Sequence, residues 1–204
     1  MQAQKITTLF LDIGGVLLTN GWGRSSRALA AQKFKLDIVE INERHHLCFD
    51  TYEMGKLSMD EYLKQVIFYE NRDFSSDEFK TFIYAQSQPL GDHIAFFKAL
   101  KATHGLKVFA VNNEAKEMNE YRIRQFELYS LFDAFVSSCY VGLRKPDKDI
   151  FHLACDLAQV SPEQAIMIDD RQMFVDVAAG IGLNAMQFDT LENAKEKINS
   201  FFPV

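Results

Sequence analysis

Several polar side chains that could do chemistry together follow apolar runs of this sequence. Asp12 ends a short apolar run, Asn112 follows a second run, and Asp169 and Asp170 follow a third. Lys145 lies in the segment after a further run. A carboxylate nucleophile, two carboxylates that can hold a hard divalent cation and a lysine are the groups needed to transfer a phosphoryl group through an aspartyl-phosphate. The pattern therefore favours Mg²⁺-assisted phosphoryl transfer.

The elements that must position these side chains are strands alternating with helices. Five short apolar runs predict the strands, at residues 6–11, 107–111, 134–137, 165–168 and 185–188. Helical patterns separate them, which predicts an α/β fold with a doubly wound parallel sheet. In such sheets ligands bind outside the carboxyl ends of the strands, where the side chains named above are found.

The segment after the first strand has a different pattern, with repeated helix starts and no strong strand signal. Ser58 with Glu61 forms a capping-box pattern before an amphipathic run, and Ser75 with Glu78 repeats it. The sequence therefore predicts an all-helical insert at residues 18–87. The α/β core domain is predicted at residues 1–17 and 88–204.

The composition excludes several classes of protein. The net charge is -6 and no basic block occurs, so nucleic acid is not an expected partner. No apolar stretch approaches the roughly 20 residues that cross a bilayer, and the first residues lack a signal-peptide pattern. Cys48, Cys139 and Cys155 are odd in number and widely spaced, which predicts reduced thiols in a cytoplasmic protein.

Four motifs in order resemble those of the haloacid dehalogenase-like hydrolase superfamily. They are FLDIGGVLL, KVFAVNN, GLRKPD and MIDDRQMF. The chain looks most like subfamily IA, in the branch that contains the phosphatase domain of epoxide hydrolases and bacterial sugar-phosphate phosphatases. The resemblance implies a Mg²⁺-dependent phosphatase for a small phosphorylated metabolite, with the helical insert as its cap.

The resemblance also implies roles for individual residues. Asp12 would be the nucleophile and would contact the metal, which the Gly14 carbonyl and Asp170 would bind directly, with Asp169 in direct or water-mediated support. Lys145 would bind phosphate and orient Asp12. Asn112 and the backbone amides of Ile13 and Gly15 would hold the phosphate as well. Trp22 and Arg24 enter the insert directly after this turn, so they are possible substrate contacts.

Two positions depart from the family pattern. Gly14 stands where related phosphatases carry a second aspartate that acts as acid and base, and Val111 replaces a Ser or Thr that donates to phosphate. These departures motivate an alternative, a catalytically weakened protein that binds a phosphorylated ligand or a protein partner. A third hypothesis is haloacid dehalogenation, which the paired Asp169 and Asp170 disfavour. A monomer and a homodimer both remain open.

Overall fold

A five-stranded parallel sheet forms the centre of the molecule. The computed structural model describes residues 5–202, so the ends of the two predicted core segments lie outside it. The strands are β1 (Thr8–Leu11), β2 (Lys107–Asn112), β3 (Ala134–Ser137), β4 (Ala165–Asp169) and β5 (Asn184–Gln187). Their order is β3-β2-β1-β4-β5, and every neighbouring pair is parallel. The predicted α/β fold is confirmed, with strand bounds within two residues of those expected.

Ten α-helices complete the described chain. They are α1 (Arg24–Lys33), α2 (Ile38–Glu53), α3 (Met59–Val66), α4 (Ser76–Ala85), α5 (His93–His104), α6 (Lys116–Gln125), α7 (Ser138–Val141), α8 (Asp149–Ala158), α9 (Gln172–Gly180) and α10 (Leu191–Ser200). Short 3-10 turns occur at Leu128–Ser130 and Pro162–Gln164. Within residues 5–202, no helix combines the length and the apolar character needed to span a bilayer.

The sheet is covered on both faces because its side chains alternate. Leu9 and Leu11 of β1 join a buried cluster with α5 and α10, whereas Phe10 between them joins a second cluster with α8 and α9. Alternation along a strand sends neighbouring side chains to opposite faces. Burial on both faces explains why β1 reads as a continuous apolar run.

Helices α1 to α4 lie between β1 and α5 in the chain and share a third buried cluster, which includes Tyr62, Phe79 and Met118 of α6. Ser58 forms the expected capping box with Glu61 at the start of α3. The helical character of this segment is therefore confirmed. Its division from the sheet as a separate cap domain stays a prediction.

Two backbone segments, at Thr19 and at residues 86–88, connect the helical segment to the rest of the chain and lie side by side. The Thr19 amide donates to the Gln88 carbonyl at 2.8 Å, and the Thr19 hydroxyl donates to the Gln86 carbonyl at 2.6 Å. Arg122 of α6 reaches both segments, donating to the Thr19 carbonyl at 3.1 Å and to the Ser87 hydroxyl at 3.0 Å. These bonds join the two connecting segments to each other and to α6.

Candidate active site

Asp12 lies at the carboxyl end of the central strand. Its backbone amide donates to the Ile168 carbonyl of β4 at 2.9 Å, which extends the β1–β4 ladder by one residue. This pairing brings position 12 beside position 169 of the neighbouring strand. The side chain is 9% exposed, so the carboxylate is largely shielded from solvent.

Three carboxylates meet at this edge. One oxygen from each of Asp12, Asp169 and Asp170 lies within 4.8 Å of the others, close enough to share one metal ion. Asp170 Oδ1 is buried and finds no hydrogen-bond partner among residues 5–202. A buried carboxylate oxygen without a partner is unfavourable, and a cation would satisfy it. The donor set, all oxygen, fits Mg²⁺.

Lys145 supplies the one buried ammonium group in contact with these carboxylates among the described residues. Its Nζ lies 3.2 Å from Asp12 Oδ1 and 2.5 Å from Asp169 Oδ2. The Lys145 backbone is fixed by the Asn113 amide, whose Oδ1 accepts from the Lys145 amide and whose Nδ2 donates to the Lys145 carbonyl, both at 2.8 Å. The sequence reading assigned Asn113 no role, although its place directly after β2 was the available signal.

The electrostatics of the cluster favour an added cation. Burial raises the pKa of Asp12 to about 7, Lys145 opposes this shift, and the charges of Asp169 and Asp170 add to it. Burial likewise raises the pKa of Asp170. Burial by itself would lower the pKa of Lys145, but the charges of Asp12 and Asp169 raise it. Three carboxylates thus face one ammonium, and a divalent ion would offset the excess negative charge.

Two of the predicted phosphate contacts form hydrogen bonds within the protein, and their contact with phosphate stays a prediction. The Asn112 side chain is buried and bonded inside the protein, to Asn119 at 3.1 Å and to Ser137 at 2.7 Å. The Gly15 amide donates to the Leu18 carbonyl at 2.7 Å. Both groups are already satisfied, so Asn112 supports the end of β2 from inside and Gly15 shapes the turn. A backbone hydrogen bond from Ile13 to Asp12 lowers the pKa of that carboxyl, so this amide orients the proposed nucleophile.

The two departures from the family pattern have visible consequences. A side chain at Gly14 would begin 2.8 Å from Asn20 Oδ1, so the Asn20 amide occupies the neighbourhood of the missing aspartate. Asn20 Nδ2 also lies 3.4 Å from Asp170 Oδ2. Val111 is fully buried in the apolar cluster on the α8 and α9 face of the sheet. No sequence signal pointed to Asn20.

A cavity of about 680 Å³ opens from the carboxylate cluster toward helices α1 and α2. Asp12, Gly14 and Lys145 line its floor, and the possible substrate contacts Trp22 and Arg24 line it as well. The volume lies within the ordinary range for small-molecule sites. The structure therefore brings the proposed catalytic residues and both possible substrate contacts to one space.

His45 also lines the cavity. A chain of hydrogen bonds that the sequence did not reveal connects it to Trp22. Trp22 Nε1 donates to the Tyr62 hydroxyl at 2.8 Å, and the Tyr62 hydroxyl lies 2.7 Å from His45 Nδ1. Burial lowers the pKa of His45 to about 3, and the charges of Arg27 and His46 lower it further. His45 is thus neutral at physiological pH. The Tyr62 hydroxyl accepts from Trp22 and donates its own hydrogen to Nδ1 of His45.

Gly15 is expected to be essential because of its close approach to Asp170. Its φ is +74°, and an added Cβ would lie 2.2 Å from Asp170 Oδ2. Gly15→Ala should lower the free energy of unfolding by about 2 to 4 kcal/mol and weaken Mg²⁺ binding, as measured by urea unfolding and calorimetry. Gly91→Ala is the matched control, since Gly91 has φ of +48° in open space. If both variants lose the same stability and Gly15→Ala binds Mg²⁺ as the wild type does, the close approach of Gly15 to Asp170 has no such role.

Comparison with known proteins identifies the class of protein that this fold and site define. A family model for haloacid dehalogenase-like hydrolases matches residues 6–183, and the chain belongs to that family. A family enzyme from Bacteroides thetaiotaomicron, solved in complex with magnesium and inorganic phosphate, is 17% identical with a TM-score of 0.77, covering 93% of this chain and 98% of that one. A HAD-like family hydrolase from Porphyromonas gingivalis is 20% identical with a TM-score of 0.76, covering 98% and 100%.

Curated relatives are longer than this chain. Drimenol cyclase drtB from Aspergillus calidoustus is 24% identical over 201 residues, which are 97% of this chain and 37% of that protein. The protein named pyrophosphatase PpaX from Clostridium perfringens is 28% identical over 110 residues, covering 54% of this chain and 46% of its own length. The chain thus spans less than half the length of either relative.

Proposed function

We propose that this hydrolase is a Mg²⁺-dependent phosphatase that acts on a small phosphorylated metabolite through an aspartyl-phosphate on Asp12. The observation that carries the proposal is the position of the Asp12 carboxylate, 3.2 Å from the Lys145 ammonium and within 4.8 Å of the Asp169–Asp170 pair. Support comes from the solved relative that holds magnesium and inorganic phosphate, and from the relative named a pyrophosphatase.

Each group has a part in the proposed reaction. Asp12 attacks phosphorus, the bond to the leaving oxygen breaks, and that oxygen takes a proton from water. Water then attacks the phosphorus of the aspartyl-phosphate, which releases inorganic phosphate and restores Asp12. Lys145 offsets negative charge on the transferred group and keeps Asp12 oriented. Bound Mg²⁺, held by Asp12, Asp170, the Gly14 carbonyl and Asp169, would reduce repulsion between nucleophile and substrate.

Gly14 predicts a strong dependence on the leaving group. No side chain at position 14 can protonate the departing oxygen, and Asn20 beside it is not an acid. Since such a proton transfer contributes about 10²- to 10⁴-fold, an alkyl phosphate should turn over about 10²-fold more slowly than an aryl phosphate, which needs no acid. The comparison is kcat/KM for glycerol 3-phosphate against an aryl phosphate, because kcat/KM reports the step in which the leaving group departs. Equal kcat/KM values would point to another acid in the cavity.

Two alternatives remain distinct in their outcomes. A weakened binding protein, motivated by Gly14 and Val111, would bind Mg²⁺ and phosphate but leave phosphate esters intact. A haloacid dehalogenase would release halide without metal. Asp169 and Asp170 disfavour dehalogenation, because two further carboxylates next to the nucleophile add negative charge that a metal-free reaction does not need.

The experiment that separates these functions is a phosphate-release screen. Sugar phosphates, nucleotides and an aryl phosphate are each incubated with the protein, with Mg²⁺ and with a chelator. A phosphatase releases phosphate from at least one class only when Mg²⁺ is present. Background release from the whole panel, together with measurable binding of Mg²⁺ and phosphate, would favour the binding protein.

A further inference from the structure

A second cationic region lies in the same cavity, away from the carboxylate cluster. Arg27 of α1 is only 8% exposed and lines the cavity. Its Nε donates to Asn42 Oδ1 at 2.9 Å and its Nη1 donates to the Trp22 carbonyl at 3.3 Å. Both partners are neutral. No carboxylate among residues 5–202 forms an ion pair with Arg27, so its buried positive charge is offset only in part, by the more distant charge of Glu53.

Other arginines of the cavity show the contrast. Arg122 pairs with Glu114 at 2.8 Å, and Arg144 pairs with Asp50 at 2.6 Å and with Glu53 at 2.5 Å. Buried charges are costly unless they are paired, and these two arginines follow that rule. Arg27 does not, within the part of the chain that the structure describes. The missing partner is therefore expected from outside the protein.

Arg24 adds a second charge on the same side of the cavity. It lies three residues before Arg27 on α1, so the two side chains share a helix face, and it lines the cavity too. Burial lowers the pKa of the Arg27 guanidinium and the positive charge of Arg24 adds to this shift, whereas Tyr62 and Glu53 oppose it. Two like charges on one wall repel each other, which an anion between them would relieve.

We propose that Arg27 and Arg24 form an anion-binding subsite, so that the substrate carries a second anionic group besides the phosphate at Asp12. The inference rests on the proposed function for the identity of the first group. Arg27 offers N–H groups that its two neutral partners leave unused, in the planar arrangement that suits a carboxylate or a phosphate. A cavity of about 680 Å³ has room for a molecule with both anionic ends.

The test compares three ligands that share a phosphorylated three-carbon skeleton. Glycerol 3-phosphate has no second anion, 3-phosphoglycerate adds a carboxylate, and 2,3-bisphosphoglycerate adds a carboxylate and a second phosphate. Binding is measured by calorimetry with Mg²⁺ in an Asp12→Asn background, where no ligand is consumed. We expect at least one of the latter two to bind about 10- to 100-fold more tightly than glycerol 3-phosphate. The stronger of the two identifies which second anion the subsite takes.

Substitution of Arg27 decides whether the subsite causes the preference. Arg27→Gln should reduce this preference to less than about threefold, mainly by weakening the binding of the ligand with two anionic groups, whereas the control Arg44→Gln, at a half-exposed pair with Glu40, should preserve it. If thermal unfolding shows that Arg27→Gln is misfolded, Arg24→Gln provides the same comparison. Equal affinity for all three ligands, no binding of any, or a preference that survives in the folded variant overturns the subsite.

Failure of the proposed function looks different. A protein that binds these ligands with the expected preference but releases no phosphate from any of them, in its Asp12 form, retains the subsite and loses the phosphatase activity. A protein that releases phosphate from all three with equal kcat/KM keeps the activity and loses the subsite. The two proposals can therefore fail separately.

Discussion

Asp12→Asn should lower phosphate release by at least about 10⁴-fold while the protein stays folded. The amide cannot attack phosphorus, and no other carboxylate can replace it without disturbing the metal ligands. The thermal midpoint should not fall, because the substitution removes a buried carboxylate that Asp169 and Asp170 repel. Steady-state phosphate release and thermal unfolding measure the two effects.

The matched control for this substitution is Asp73→Asn, at an exposed position between α3 and α4. It makes the same chemical change and should leave both turnover and stability unaltered. Turnover in Asp12→Asn above about one hundredth of the wild-type rate would contradict a covalent role for Asp12.

Arg122→Met should lower the free energy of unfolding by about 3 to 5 kcal/mol. Arg122 is 2% exposed, pairs with Glu114 and donates to Ser87 and Thr19, so its loss leaves a buried carboxylate without its cation and frees the two segments that lead into the helical insert. Methionine keeps most of the volume and removes the charge. Urea unfolding gives the difference.

Two further variants show whether the Glu114 charge causes the loss. Burial already raises the pKa of Glu114 and Arg122 opposes it, so without Arg122 the folded form should hold a proton more tightly than the unfolded form does. The deficit should therefore shrink as pH falls, and Arg122→Met combined with Glu114→Gln should recover part of it. Arg124→Met, at an exposed position of the same helix, should cost less than about 1 kcal/mol. Equal losses in the Arg122 and Arg124 variants would contradict this account of the pair.

The location of the site could be predicted from the sequence because buried parallel strands leave a clear signal. The runs around Phe10 and Ile166 are apolar on both faces, and the first polar residue after each marks the carboxyl edge. Asp12 and Asp169 were found in this way, Lys145 was found in the segment after a further run, and the structure brings the three together. Strand ends were uncertain by one or two residues, as is usual for element bounds.

Contacts between distant parts of the chain could not be predicted. Asn112 and Asn113 both follow the second apolar run, but which side chain turns inward depends on where β2 ends, and the strand continues through Asn112. Arg122 reads as one exposed charge among several on α6, and its contact with Thr19 joins residues 103 positions apart. The place of Asn20 beside Gly14 likewise follows from the course of a turn that no periodic pattern describes.

Gly14 has a kinetic consequence beyond the first chemical step. The side chain absent there would also activate the water that attacks the aspartyl-phosphate. With an aryl phosphate the first step needs no acid, so breakdown of the intermediate should limit turnover and the phosphorylated enzyme should accumulate.

A rapid-quench experiment with an aryl phosphate and Mg²⁺ tests most directly whether the aspartyl-phosphate forms on Asp12 and accumulates. We expect a burst of the aryl alcohol close to one equivalent per chain, followed by a slower steady rate, with a phosphoryl group on the peptide that contains Asp12 after acid quench. Asp12→Asn should show neither. Phosphate and aryl alcohol released together and linearly from the first turnover, with no phosphoryl group on that peptide, would contradict covalent catalysis by Asp12.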